Sequence, residues 1–248
     1  MPDRYNEEIP IVQPPLRGKK PPIPPRVVLV ATGPDLERLK KGLAIPGDRG
    51  EPLYMSRIHT PRESPVPFAL VGPFMGAPQA AMLMETLSAW GANQFLFLGW
   101  CGAIAPHVHT GDIVLPIGAF IDEGTSPSYE VRTGPVWLPS VDLHQEIKHA
   151  LAVRGLAFHE GFVWSTDAVF RETPSKVRDY QGRGALAVEM EISACLTVAR
   201  LRKASFAAIL VISDELSSLH WRPGFRDPLF KETCRAVSRT VEDLCQTA

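Results

Sequence analysis

Ala207-Ala208-Ile209-Leu210-Val211-Ile212-Ser213-Asp214 is an apolar run that stops on two polar residues. It is too short for an ordinary helix and shows no alternation, so it reads as a strand buried on both faces. The same arrangement recurs upstream. Val27-Val28-Leu29-Val30-Ala31 leads into Thr32-Gly33-Pro34, and Phe68-Ala69-Leu70-Val71 into Gly72-Pro73. Phe95-Leu96-Phe97-Leu98 is stopped by Gly99-Trp100-Cys101-Gly102. Asp112-Ile113-Val114-Leu115 is a further strand, and one near Gly161-Phe162-Val163 ends in Ser165-Thr166-Asp167. Helical stretches separate them: 36–43 capped by Asp35, then 78–90, 140–154, 189–203 and 228–246. This alternation predicts a single-domain three-layer α/β fold, with a central, mostly parallel mixed sheet covered on both faces. Polar segments directly follow the strands, and in such sheets ligands bind at the carboxyl ends. The pattern proposes a small-molecule site without naming the molecule.

Composition narrows the class. The chain has 248 residues, 45% of them hydrophobic, enough for one sizeable core. A net charge of -1 gives no sign of a nucleic-acid or membrane-surface partner. No apolar stretch of about 18 residues could span a membrane. Cys101, Cys195, Cys234 and Cys245 show no metal-ligand spacing, so no metal site is expected. Scattered thiols of this kind fit a reducing, cytoplasmic setting. Residues 1–26 carry eight of the 24 prolines and read as an arm preceding a domain at 27–248. The arm is either laid over a surface or disordered, and Arg17-Gly18-Lys19-Lys20 within it reads as a solvated run.

Two acidic segments carry the chemistry. Glu189 and Glu191 flank Met190 after the apolar Val188. A carboxylate there can accept hydrogen bonds from both hydroxyls of a sugar diol. The competing reading is a helix start, where acidic residues meet the dipole. Ser213-Asp214 ends a buried strand; an acid there can protonate a leaving group, or the pair can cap the next turn.

Six segments in order, Gly72-Pro73-Phe74-Met75-Gly76-Ala77-Pro78, Gly99–Ile104, Gly111-Asp112-Ile113-Val114, Ser165-Thr166-Asp167, Val188-Glu189-Met190-Glu191 and Ile212-Ser213-Asp214, resemble the nucleoside phosphorylase and uridine phosphorylase family, the class of trimers and hexamers. The resemblance runs from about residue 27 to residue 245. It implies a nucleoside phosphorylase-like fold and an enzyme that cleaves the N-glycosidic bond of a purine nucleoside by phosphorolysis, giving free base and ribose-1-phosphate. It implies no cofactor, phosphate as co-substrate, and a homo-oligomer (dimer, trimer of dimers or hexamer). Glu189, Met190 and Glu191 would hold the ribose, with Glu191 taking the 2′ and 3′ hydroxyls. Asp214 would be the general acid at purine N7, oriented by Ser213. Val169, Phe170, Trp100, Cys101 and Gly102 would meet the base. Pyrimidine-specific members carry a Gln/Arg pair where this chain has Phe170-Arg171-Glu172-Thr173, which favours purine.

The pattern departs on the phosphate side. Gly33 and Arg38 resemble the first phosphate loop with altered spacing, and Arg57 resembles an arginine lent by a neighbouring subunit. Phe97 and Trp100 stand where an arginine and a Ser or Thr would bind phosphate. Two alternatives follow: a nucleosidase using water, with Asp35 or Glu37 near the water-activating position, and a non-catalytic nucleoside-binding protein. The loop Ser217–Phe225, with Trp221, Arg222 and Arg226 in or beside it, could act as a lid.

Overall fold

The computed structural model describes residues 10–18, 23–45, 50–61, 68–130, 134–138 and 140–246. Of the arm, Pro2, Lys19, Lys20, Pro21 and Pro22 lie outside the described residues. The elements in chain order are β1 (Arg26–Val30), α1 (Gly33–Gly42), β2 (Glu51–Leu53), β3 (Ser56–His59), β4 (Phe68–Gly72), α2 (Ala77–Ala89), β5 (Gln94–Ala103), β6 (Ile113–Asp122), α3 (Ser126–Tyr129), β7 (Val136–Trp137), α4 (Asp142–Val153), β8 (His159–Thr166), a 3-10 turn (Val169–Arg171), α5 (Pro174–Gly182), β9 (Ala185–Glu189), α6 (Ile192–Arg202), β10 (Ser205–Glu215), β11 (Arg222–Pro223) and α7 (Pro228–Gln246).

The fold is the expected three-layer α/β domain. Leu36 and Leu39 of α1, Leu143 and Ile147 of α4, and Phe230 and Val241 of α7 pack on one face of the sheet. Leu83 and Leu87 of α2 and Leu196 and Val198 of α6 pack on the other. The long strand pairings are parallel: β1 with β4 and β5, β5 with β10, β6 with β8, and β8 with β9. The shorter pairings are antiparallel. The strand order is β11-β10-β6-β8-β9-β5-β1-β4-β3-β2, with β7 on β6 and β10 also on β5. That last pairing closes β5, β10, β6, β8 and β9 into a ring, where the alternation suggested an open sheet.

Several boundaries differ from the sequence reading. Gly99–Gly102 does not stop its strand; β5 runs on to Ala103 because β10 and β9 hold both its edges there. The helix expected from Glu189 begins at Ile192, and Glu189 ends β9, a strand the reading missed. Thr32, not Asp35, caps α1: the Thr32 hydroxyl accepts from the Asp35 amide. Ser213-Asp214 lies within β10 rather than beyond it. In the arm, Pro15 O accepts from Trp90 Nε1 at 2.6 Å. The Arg17 guanidinium sits 4.8 Å over the Trp90 ring and 3.1 Å from Glu51, so Arg17 itself is held against the domain. Ile23 is buried in the core, so packing begins before Val27.

Candidate functional site

The carboxyl end of β5 organises the site. Gly102 is in register with Val188 of β9 on one edge and with Asp214 of β10 on the other. The two acidic segments, far apart in sequence, therefore flank one glycine. The β5–β10 register shifts between Ile212 and Asp214, a bulge at Ser213 that turns Asp214 toward Gly102. A Cβ on Gly102 would lie 3.1 Å from Asp214 Oδ2 and 2.7 Å from Leu216 Cδ1, so the missing side chain leaves the space beside the acid.

Glu189 and Glu191 separate into different roles. Glu189 Oε2 accepts from the amides of Glu191 at 2.6 Å and Ile192 at 2.7 Å, and its Oε1 accepts from the Ser165 hydroxyl. Ser165 Oγ in turn accepts from the Ser193 amide at 2.9 Å. Glu189 thus satisfies the first donors of α6, which has no cap from its own N-cap side chain. Three of its acceptor positions are thus used by the fold. Glu191 is different. Its Oε1 accepts from the Gly76 amide at 2.5 Å, and the Met190 backbone also bonds the carboxyl group. Met190 between them is half-buried.

Asp214 is the second pole. Ser213 Oγ donates to its Oδ1 at 2.7 Å, and Trp221 Nε1 donates to its Oδ2 at 2.9 Å. Cys101 lies buried on the floor, where burial and the charges of Glu189 and Asp214 push its thiol up. Two carboxyl groups and a half-buried sulfur thus lie on either side of a glycine gap.

Residues 25–248 match the family model described as the phosphorylase superfamily. The chain belongs to the phosphorylase superfamily. Guanosine phosphorylase of Halorubrum lacusprofundi is 34% identical over 142 residues, 57% of this chain and 58% of that protein. A DeoD-type purine nucleoside phosphorylase of Roseobacter denitrificans is 29% identical over 150 residues, 59% of this chain and 63% of that one. The alignments thus span about three fifths of these relatives' length. A uridine phosphorylase structure from Vibrio fischeri superposes with a TM-score of 0.77 at 23% identity, covering 90% of this chain and 92% of that one. An AMP nucleosidase structure from Bacteroides thetaiotaomicron gives 0.71 at 27% identity, covering 91% and 90%.

Within this superfamily chain, the residues expected to bind phosphate are engaged elsewhere. Asp35, only 1% exposed at the amino end of α1, accepts from Trp100 Nε1 at 2.7 Å and from the Thr32 hydroxyl at 2.8 Å, and is paired with Arg38. The Arg38 charge is met by an internal carboxylate. Arg57 is exposed on β3 and donates to Gly50 O at 2.9 Å. Phe97 is core, with the Phe74 and Phe206 rings 5.7 and 6.4 Å away. Trp100 bonds Asp35 and packs edge-on to Phe230, 5.1 Å away, in the core cluster on the sheet face opposite that of Cys101. Val169 is half exposed and Phe170 almost fully exposed on the 3-10 turn, and no ring contact joins Phe170 to the site. His159 and the His109 amide both bond Asp112.

Of three participants, two escaped the sequence reading and Trp221 was read only as part of a lid. The Gly76 amide reaches Glu191 across 115 positions, and no local signal foretells it. The Trp221 bond to Asp214 gives content to the suspected lid. Glu172 is the third: burial, and after it the Asp214 carboxylate, push it up to about 7.

Burial also pushes Glu191 up to about 7. Burial and the Glu191 charge raise Glu189 as well, so the two neighbouring carboxyls do not both ionise readily near neutral pH. An ionised Glu191 accepts from two hydroxyls, whereas its acid form has one acceptor fewer. Ribose-bearing ligands should therefore bind more tightly as pH rises through about 7, measured by isothermal titration between pH 6 and 8. The same shift works against stability: the folded form holds its proton more strongly than the unfolded chain, so this group's contribution declines as pH rises from the ordinary carboxyl range to about 7. PH-independent affinity would remove Glu191 from the ribose site.

Proposed function

We propose that this chain cleaves the N-glycosidic bond of a purine nucleoside. The observation that carries the reading is the placement of Asp214 and the Glu189–Glu191 segment on either side of Gly102. Glu191 accepts from the ribose hydroxyls, Met190 lies under the sugar, and Asp214 gives a proton to the base as it leaves. As the bond breaks, the sugar becomes cationic and the base anionic; neutralising the base lowers the barrier.

The acceptor separates two readings. Water is favoured by the geometry, since Asp35 already neutralises Arg38 and Phe97 fills core space. The structural likeness to a protein titled AMP nucleosidase agrees with it. Phosphate, giving ribose-1-phosphate, is favoured by the relatives named guanosine and purine nucleoside phosphorylase. A panel of nucleosides assayed with and without millimolar phosphate, reading free base, ribose and ribose-1-phosphate, decides. We expect purine release at the same rate in both buffers, with free ribose as the product. Ribose-1-phosphate would establish phosphorolysis, and no base release at all would leave a binding protein.

A further inference from the structure

We infer that Trp221 is a latch on the acid: its indole holds the Asp214 oxygen that the base needs, and purine entry displaces it. This rests on the reading of Asp214 just given. Asp214 has two oxygens. Oδ1 faces Ser213, which bonds it from within the strand at 2.7 Å. Oδ2 faces the space over Gly102, where a Cβ would stand 3.1 Å away, and this is the oxygen that Trp221 Nε1 takes at 2.9 Å. A base entering over Gly102 meets the indole N–H in the place where its own ring nitrogen must go.

The backbone around the latch is fixed, while the latch itself is loose. Pro223 pairs with Asp214 and Arg222 with Glu215, so β11 folds back on the end of β10. The Gly224 amide donates to Ser213 O at 2.8 Å, and Arg222 lies 3.5 Å from Glu215. Trp221, between these anchors and the turn at Leu219 (φ 63°), is 63% exposed and makes no ring contact among the described residues. Its single bond to Asp214 can therefore be exchanged by rotating one side chain, without unfolding the hairpin. Trp221 acts through Asp214 and is a positioning residue. While the site is empty it keeps Oδ2 directed over Gly102 rather than toward solvent.

The experiment compares wild type, Trp221→Phe and Trp221→His with inosine, guanosine and adenosine and their free bases. Exchange of one hydrogen bond to a carboxylate opposes binding by roughly 5-fold. Trp221→Phe should lower KM about 5-fold with kcat within about twofold. Trp221→His, which keeps a ring N–H, should return KM toward the wild-type value. Purine addition should change the fluorescence of wild type through a component that Trp221→Phe lacks. An equal fluorescence response in both proteins, or a KM unchanged or raised by Trp221→Phe while purines still bind and cleave, overturns the latch and leaves the assignment of Asp214 standing. If none of the three proteins binds a purine or releases one, both fall together.

Discussion

Replacing Asp214 by Asn should slow purine release at least about 10²-fold, the usual loss on removing a general acid. The substitution preserves shape. The amide oxygen can accept from Ser213, which bonds Oδ1 at 2.7 Å in the native protein, and the bulge that aims the side chain is backbone. What disappears is the proton that a carboxylic acid can give to a leaving base. The loss should fall on kcat, with KM changed far less, because the Glu189–Glu191 segment proposed to hold the ribose follows Val188, on the other side of Gly102. Steady-state assays on the best nucleoside of the panel, with a thermal melt as control for folding, measure this. Wild-type turnover in that variant would take the acid role away from Asp214.

Glu189→Ala should produce the largest loss of stability, about 3 kcal/mol or more. The side chain is 5% exposed and accepts from two amides and one hydroxyl. Truncation leaves buried donors at the start of α6, each unsatisfied donor costing about 1–3 kcal/mol, and also opens a cavity. For a chain of this size that corresponds to a fall in melting temperature of roughly 6–12 °C. Glu189→Gln retains an acceptor and should lose less. Glu191→Gln should leave the melt near wild type while weakening nucleoside binding, because a Gln oxygen can still accept from the Gly76 amide. A Glu189→Ala protein as stable as wild type would return Glu189 to the ribose and end its structural role.

The contrast between these two glutamates marks how far sequence alone reaches. The segment Val188–Glu191 announces buried carboxylates beside an apolar run, but which oxygen meets which donor depends on Ser165 and Gly76, contributed by distant strands and loops. The strands with continuous apolar runs were legible because burial on both faces leaves no polar residue to confuse them. The hairpin Glu51–His59 was not: its strands are short, and the exposed Tyr54 and Met55 between them blur the apolar pattern. Helix Pro174–Gly182 was missed for a similar reason, burying only Val177 and Tyr180. The last helix, by contrast, has the expected bounds 228–246, since one apolar stripe runs its whole length. Asp35 was read from its position as a cap. Its actual bonds come from Trp100, 65 positions later, a contact that no local pattern encodes.

The closed ring of strands carries a consequence for how such a site can come into being. β5 meets β9 through only two residue pairs, Gly102 with Val188 and Ala103 with Ala187, while it meets β10 along nearly its whole length. The narrow seam is therefore where the ring closes, and the Glu189–Glu191 segment follows directly on it. With that seam open, Asp214 and Glu191 would stand toward opposite ends of an open band.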